Sequence, residues 1–210
     1  MIRLRIDTHA DLKRPVTRAA EVLKTGGIVA YPTETVYGLA GDTSNDSAIK
    51  RLFRLKQRKA DRPILILIPS VNDLNQYTDH IPFVATQLME RFWPGALTLI
   101  FKASPLVSPL LTGGKGKIGI RLSSHPVAAA LAKEIGRPIT STSANISRGP
   151  SPRTPDEVVD TFDEGIDLLL DAGPSLGRTP STVLDVTVDP PQILREGAIK
   201  AYQLTGRERK

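Results

Sequence analysis

The chain has 210 residues, 40% of them hydrophobic and 24% charged, the balance of an ordinary globular protein, so one unit with a single core is expected. With no cysteine, disulfides, thiolate nucleophiles and zinc-thiolate sites are excluded, and 28 Lys and Arg against 22 Asp and Glu leave +6, which suits an anionic partner such as a nucleotide, a tRNA or an acidic metabolite. Aromatic residues make up only 5%, too few for the platforms of a single-strand binder, and no apolar run reaches the roughly 20 residues of a spanning helix or resembles a signal peptide, so a cytoplasmic protein without membrane contact is expected.

Ile2, Leu4 and Ile6 alternate with charged residues, which predicts a short strand with one buried face. Leu12, Val16, Ala19, Ala20 and Leu23 then repeat at helical spacing, and Gly26-Gly27 supplies the left-handed stop. Ile28 to Tyr31 is a β-prone run that Pro32 ends, because proline has no N–H for a ladder, and a loop begins there. Asp46 or Ser47 is placed to cap a second helix with the buried stripe Ile49, Leu52, Phe53 and Leu55. Ile64 to Ile68, bounded by Pro63 and Pro69, reads as a strand covered on both faces.

Helical patterns follow at Val71 to Tyr77, Phe83 to Phe92 and Val127 to Ile135. Strand candidates at Leu97 to Phe101, Ile118 to Leu122, Ile166 to Leu170, Thr182 to Val186 and Gln192 to Leu194 interleave with them. Such interleaving predicts the α/β class, with a twisted, mostly mixed β-sheet and flanking helices. The 17 prolines, many at the ends of apolar runs, predict irregular connections rather than a regular doubly wound repeat. Ser147 to Pro155 reads as a mobile loop and 205–210 as a basic tail.

Several segments carry groups fit for chemistry. Tyr31-Pro32-Thr33-Glu34-Thr35-Val36-Tyr37-Gly38-Leu39 opens a buried strand into hydroxyls and a carboxylate, at a strand end where ligands sit in open α/β sheets; the same hydroxyls also suit a turn. From Lys50 to Arg62, seven of 13 residues are basic. Lys50 and Arg51 fit a solvated face, whereas Lys56, Arg58 and Arg62 lie where the chain enters the core and can reach phosphates. Trp93-Pro94-Gly95-Ala96-Leu97-Thr98 favours packing and a turn over ligand binding.

Arg121 ends the strand Ile118-Gly119-Ile120-Arg121, and Thr140-Ser141-Thr142-Ser143-Ala144-Asn145 is either a turn or a surface that phosphate and ribose can approach closely. Ser181-Thr182-Val183 precedes Leu194-Arg195-Glu196-Gly197, where Arg195 suits a second phosphate contact or a local pair with Glu196. His9, His80 and His125 are isolated, and the chain holds no Gly-x-x-x-x-Gly-Lys-Ser/Thr loop, no Gly-x-Gly-x-x-Gly and no Ser-His-Asp arrangement. No nucleophile, general base or metal site is therefore assigned.

In this order, PTETVYGL, KQR with Arg62-Pro63, WPGALT, IRL, STSAN, STV and LREG resemble the YrdC-domain threonylcarbamoyl-AMP synthases over about residues 14 to 200. The resemblance implies a single YrdC-like domain over 1–210 with a large basic cleft. It also implies synthesis of threonylcarbamoyl-AMP from L-threonine, bicarbonate or CO2 and ATP, with release of pyrophosphate, for the threonylcarbamoyladenosine modification of tRNA. By motif position the L-threonine set is Thr35, Arg121, Ser141 and Ser181. The ATP set is Arg58, Arg62, Lys117, Ser143, Ser151 and Arg195, with Lys56 and Asn145 as neighbours.

Mg2+ is implied on the triphosphate, and the implied partners are tRNA and a separate transferase complex that passes the threonylcarbamoyl group to it. Longer relatives carry an extra C-terminal domain, which this chain is expected to lack. Leu67 stands where many relatives have a histidine in the threonine site, and Ala96 departs from the common WPGPLT. Two other readings stay open: a non-catalytic protein that binds structured RNA in the same cleft, and a carbamoyl-adenylate enzyme acting on another amine.

Overall fold

The computed structural model describes residues 1–162 and 164–205. In chain order the elements are β1 (Ile2–Arg5), α1 (Lys13–Lys24), β2 (Val29–Tyr31), β3 (Gly38–Ala40), α2 (Asp46–Leu55), β4 (Ile66–Leu67), a 3-10 turn (Val71–Asp73), α3 (Leu74–Tyr77), α4 (Phe83–Phe92) and β5 (Leu97–Lys102). There follow α5 (Pro109–Thr112), β6 (Lys117–Arg121), α6 (Pro126–Ile135), β7 (Ile139–Thr140), β8 (Thr142–Ser143), α7 (Pro155–Phe162), β9 (Leu168–Asp171), β10 (Thr182–Asp185), β11 (Gln192–Arg195) and α8 (Ala201–Thr205).

The long amphipathic helices form where the apolar spacing puts them. Val16, Ala19, Ala20 and Leu23 are buried along one face of α1, and Gly26 takes the left-handed turn at φ 85°. That face packs with Val127, Ala128 and Leu131 of α6 over Val29, Tyr31, Leu168 and Leu170. In α2 the cap is Asn45, one residue before the expected pair: its side chain accepts from the amides of Ser47 and Ala48.

Two mixed sheets result, ordered β1-β9-β2-β3-β8 and β11-β10-β5-β6-β4-β7. Ala30 and Leu39 of the first share one core with Leu97, Leu99, Ile118 and Ile120 of the second. β1 is an edge strand, which leaves Ile2 exposed and Leu4 only half-buried, so the expected buried face is incomplete. β3, β7, β8, α5, α7 and α8 are additions to the predicted elements. Of the tail read over 205–210, Thr205 ends α8 and 206–210 lie outside the described residues.

The hydroxyl-rich segment after α6 joins the sheets. β7 pairs with β4 in the six-stranded sheet and β8 with β3 in the five-stranded one, so the chain passes between sheets at the single residue Ser141. Among the described residues, no helix is long and apolar enough to cross a membrane.

Candidate active site

Strand ends from both sheets converge on a cleft of about 610 Å³, its open mouth included. Thr35, Arg58, Arg121, Ser141, Ser143, Ser181 and Arg195 line it, and among the described residues its wall contains no carboxylate. Sequence positions from 35 to 195 thus meet at one place.

Arg121 leaves the last position of β6 and is 3% exposed. Its Nη1 donates to Thr35 Oγ1 at 3.2 Å. The hydroxyl hydrogens around it can be assigned from donor arithmetic. Thr33 Oγ1 donates to the Val36 carbonyl at 2.6 Å, so in the 2.9 Å contact between Thr33 and Thr35 the Thr35 hydroxyl is the donor. Thr35 therefore offers only lone pairs toward Arg121 and the cleft.

Ser141 is held by its amide, which donates to the Leu65 carbonyl at 2.8 Å. Beneath it, burial pushes the Tyr31 phenol up to about 12, against the opposing hydrogen bond from Ser141 and the Arg121 charge. Ser181, just before β10, has its Oγ 2.9 Å from Thr98 Oγ1. Arg195 at the end of β11 donates from Nη2 and Nε to the Ser181 carbonyl, at 2.8 and 3.1 Å. Burial, reinforced by the nearby Arg121 charge, lowers the Arg195 pKa.

On the opposite wall Gln57 takes a left-handed φ of 48°, which separates two basic neighbours. Lys56 enters the core, whereas Arg58 lines the cleft, its Nη2 donating to the Pro63 carbonyl at 2.6 Å and its Nε to the Arg62 carbonyl at 3.2 Å. Lys56 is 1% exposed, and its Nζ donates to the carbonyls of Ser143 and Asn145 at 2.5 and 2.6 Å, with Asn145 Oδ1 at 3.4 Å. Burial, then the Arg58 charge, lowers the lysine to about 7. Asn145 Oδ1 accepts from Ser143 Oγ and its Nδ2 donates to the Gly149 carbonyl. Lys56 and Asn145 thus shape the 143–149 loop from behind, leaving Ser143 at the wall.

Lys56 and Asn145, behind the loop, are therefore off the wall, and three further sequence-predicted residues are not brought to it either. Arg62 is exposed; its carbonyl accepts from Arg58 Nε and its amide donates to the Lys59 carbonyl. Lys117 begins β6 and pairs with Asp185 at 2.9 Å, so it lies four residues from Arg121, roughly 13 Å at about 3.3 Å per residue. Ser151 lies in a segment tied down by Tyr37 N–H to the Pro152 carbonyl at 3.2 Å and Ser175 N–H to the Arg153 carbonyl at 2.6 Å. The departures Leu67 and Ala96 are also outside the wall: Leu67 is buried in the core beside Tyr31, and the Ala96 carbonyl accepts from the Thr182 amide.

Sequence reasoning gave no role to two glycines and one carboxylate that frame the cleft. A Cβ at Gly177 would collide with the carbonyls of Thr35 and Glu34, and one at Gly197 with the backbone of Pro180 and Ser181, so only glycine lets these segments press against the wall. Glu34 lies behind Arg121 with Oε1 3.9 Å from Nε, and its Oε2 accepts from Ser123 Oγ at 2.5 Å. Glu34 and Ser123 are 89 positions apart, so nothing local signals the contact.

A family model for Sua5, YciO and YrdC, described as "Telomere recombination", matches residues 21–197. A Bacillus subtilis protein named threonylcarbamoyl-AMP synthase is 40% identical over 190 residues, 90% of this chain and 55% of the relative. A Vibrio vulnificus protein of the same name is 36% identical over 182 residues, covering 86% of this chain and 97% of the relative. The crystal structure of P. abyssi Sua5 complexed with L-threonine superposes with a TM-score of 0.91 at 37% identity, over 99% of this chain and 61% of that one. The chain therefore spans little more than half the length of the Bacillus subtilis and P. abyssi proteins it resembles.

Proposed function

From the premise that this chain belongs to the Sua5/YciO/YrdC family, we propose that it condenses L-threonine, bicarbonate or CO2 and ATP into threonylcarbamoyl-AMP and pyrophosphate. One observation carries this reading. The wall that holds Thr35, Arg121, Ser141 and Ser181 also holds Arg58, Ser143 and Arg195, so an amino acid and a triphosphate have adjoining sets of cationic and hydrogen-bonding groups.

The chemistry asks little more of the protein than placement and charge. The threonine ammonium gives up one proton to solvent; the free amine adds to CO2, an N–C bond forming as a C=O pair moves onto oxygen, and the second nitrogen proton passes to solvent, leaving a carbamate. A carbamate oxygen then attacks the α-phosphorus; an O–P bond forms as the bond to the β-phosphate oxygen breaks, and pyrophosphate carries away the electron pair. Arg58 and Arg195 stabilise charge on the phosphates, Arg121 holds the amino-acid carboxylate, and the hydroxyls of Thr35, Ser141 and Ser181 orient the amino acid. Holding the two reactants in line replaces an enzyme nucleophile.

Mg2+ arrives as part of the nucleotide substrate and neutralises phosphate charge. Among the described residues there is no group of three or more His, Asp or Glu side chains fit to hold a metal. The product serves the modification of tRNA in the cytoplasm, passed on by a separate transferase complex.

Protein mixed with ATP, bicarbonate and threonine is expected to yield threonylcarbamoyl-AMP by mass spectrometry and pyrophosphate dependent on all three substrates. Trapping of a stable acyl- or adenylyl-enzyme, or turnover with another amine in preference to threonine, counts against the reading.

A further inference from the structure

The arginines of the cleft wall have an acidic neighbour that is not itself part of the wall. We infer that Glu34 is a positioning residue: it sets the plane of the Arg121 guanidinium so that the Nη edge faces the carboxylate of the amino-acid substrate. This deepens, and rests on, the reading that Arg121 takes that carboxylate.

Arg121 Nε and Glu34 Oε1 are both buried and both lack a hydrogen-bond partner. They are 3.9 Å apart, within ion-pair range yet longer than a hydrogen bond. Opposite charges left unsatisfied in a buried place are costly, and a small rotation of either side chain brings them together. The far oxygen of Glu34 is anchored by Ser123 Oγ, which in turn accepts from the His125 amide at 3.2 Å. Ser123 stands two residues beyond Arg121, so one connection carries the arginine and the anchor of its counterion.

The donor count then works out. Thr35 takes one Nη1 hydrogen; once a small rotation closes the 3.9 Å gap, Glu34 would take the Nε hydrogen, leaving one hydrogen on Nη1 and two on Nη2 as a fork for a carboxylate. Glu34 also offsets the repulsion between Arg121 and Arg195, whose pKa the Arg121 charge helps to lower. With Oε1 inaccessible, Oε2 engaged by Ser123 and the residue off the cleft wall, Glu34 acts through Arg121 rather than on the substrate.

A mere counterion and a positioning residue predict opposite signs. Removing a negative charge beside an anion site strengthens anion binding if charge is all that Glu34 supplies. If it sets the geometry, Glu34→Gln weakens threonine binding by about tenfold, the order of one charge-assisted hydrogen bond, and changes ATP binding less than about twofold. Ser123→Ala, which keeps the charge but frees the far oxygen, shifts threonine affinity in the same direction by a smaller factor and guards against a Glu34 variant that does not fold. In an Arg121→Lys background, Glu34→Gln adds less than about a twofold change, because lysine has no Nε to orient.

The experiment is calorimetric titration of each variant with threonine and with ATP, alongside the pH profile of pyrophosphate release. Tighter threonine binding by Glu34→Gln, equal loss for both ligands, or an additive effect in the Arg121→Lys background overturns the inference. So does a Glu34→Gln profile that loses its acidic limb with threonine affinity unchanged, which would make Glu34 a proton acceptor. Wild-type protein that binds no threonine overturns the underlying reading, and is told apart by failing before any substitution is made.

Discussion

Arg195 clasps Ser181: Nη2 and Nε share the serine carbonyl, and Nη2 lies 3.2 Å from its Oγ. In the proposed function Arg195 serves the nucleotide and Ser181 the amino acid, so these hydrogen bonds would join the two proposed halves of the cleft. Arg195→Ala is therefore expected to weaken ATP binding by roughly 1.5–3 kcal/mol and threonine binding by roughly 0.5–1.5 kcal/mol, the ranges of charged and ordinary hydrogen bonds. Calorimetry with each ligand checks this; an effect confined to ATP would mean that Ser181 keeps its place without the clasp.

Arg58 and Arg121 should separate where Arg195 does not. Arg58 is tied to the carbonyls of Arg62 and Pro63, with no bond to the threonine set, and Arg121 bonds to Thr35. Arg58→Ala is expected to weaken ATP mainly and Arg121→Ala threonine mainly, each by about 1.5–3 kcal/mol, or 10- to 150-fold. Lysine at either position recovers only part of the loss, because a point charge lacks the guanidinium fork. Changes below about 1 kcal/mol for both would mark them as surface charges, and exchanged effects would reverse the placement of the two substrates.

Lys56 makes stability depend on pH. Its pKa is lowered to about 7 in the fold by burial and by Arg58, whereas the unfolded chain keeps a lysine value of 10.5. Between those values the unfolded state binds more protons, so stability rises with pH and falls as pH drops toward 7. From pH 7 to 9, wild type should gain about 2 kcal/mol relative to Lys56→Met, at about 1.4 kcal/mol per pKa unit. Urea unfolding at both pH values measures it, and parallel curves would show that the carbonyls of Ser143 and Asn145 keep the ammonium charged.

The 147–155 segment gives a residue-level test of nucleotide contact. The amides of Ser147 and Gly149 donate to the carbonyls of Lys56 and Ile146, so they should exchange slowly without ligand. Among the described residues, no hydrogen bond is made by the Arg148 or Ser151 amide, and these are expected to become protected when ATP is added. Amide exchange unchanged at saturating ATP would remove Ser151 from the nucleotide site.

Much of this protein is legible in its sequence because much of it is local. The spacing of Val16, Ala19, Ala20 and Leu23 is enough for α1, since a helix buries whatever recurs every three or four residues. The continuous apolar run from Ile64 to Ile68 foretells a covered strand, and Ile66–Leu67 does lie inside a sheet, between β6 and β7. Arg121 and Arg195 are legible as candidate site residues because each is the last residue of a strand, β6 and β11.

What the sequence could not settle are the pairings, whose partners lie far along the chain. Ser141 reads as part of a turn, and only the pairing of β7 and β8 with different sheets makes it the crossing point. Lys56, Arg58 and Lys117 look alike as basic residues beside strands; the fold turns one into a buried brace for Ser143 and Asn145, puts one on the wall, and gives the third to Asp185. Composition and periodicity determine the longer helices, the apolar central strands and which residues are basic, because those depend on near neighbours; the two- and three-residue strands β3, β7 and β8 form only by pairing with other strands of the fold. Which charge meets which depends on the register of two sheets closing over one core, and that is decided only when residues as distant as Thr35 and Arg121, 86 positions apart, are brought within hydrogen-bonding distance.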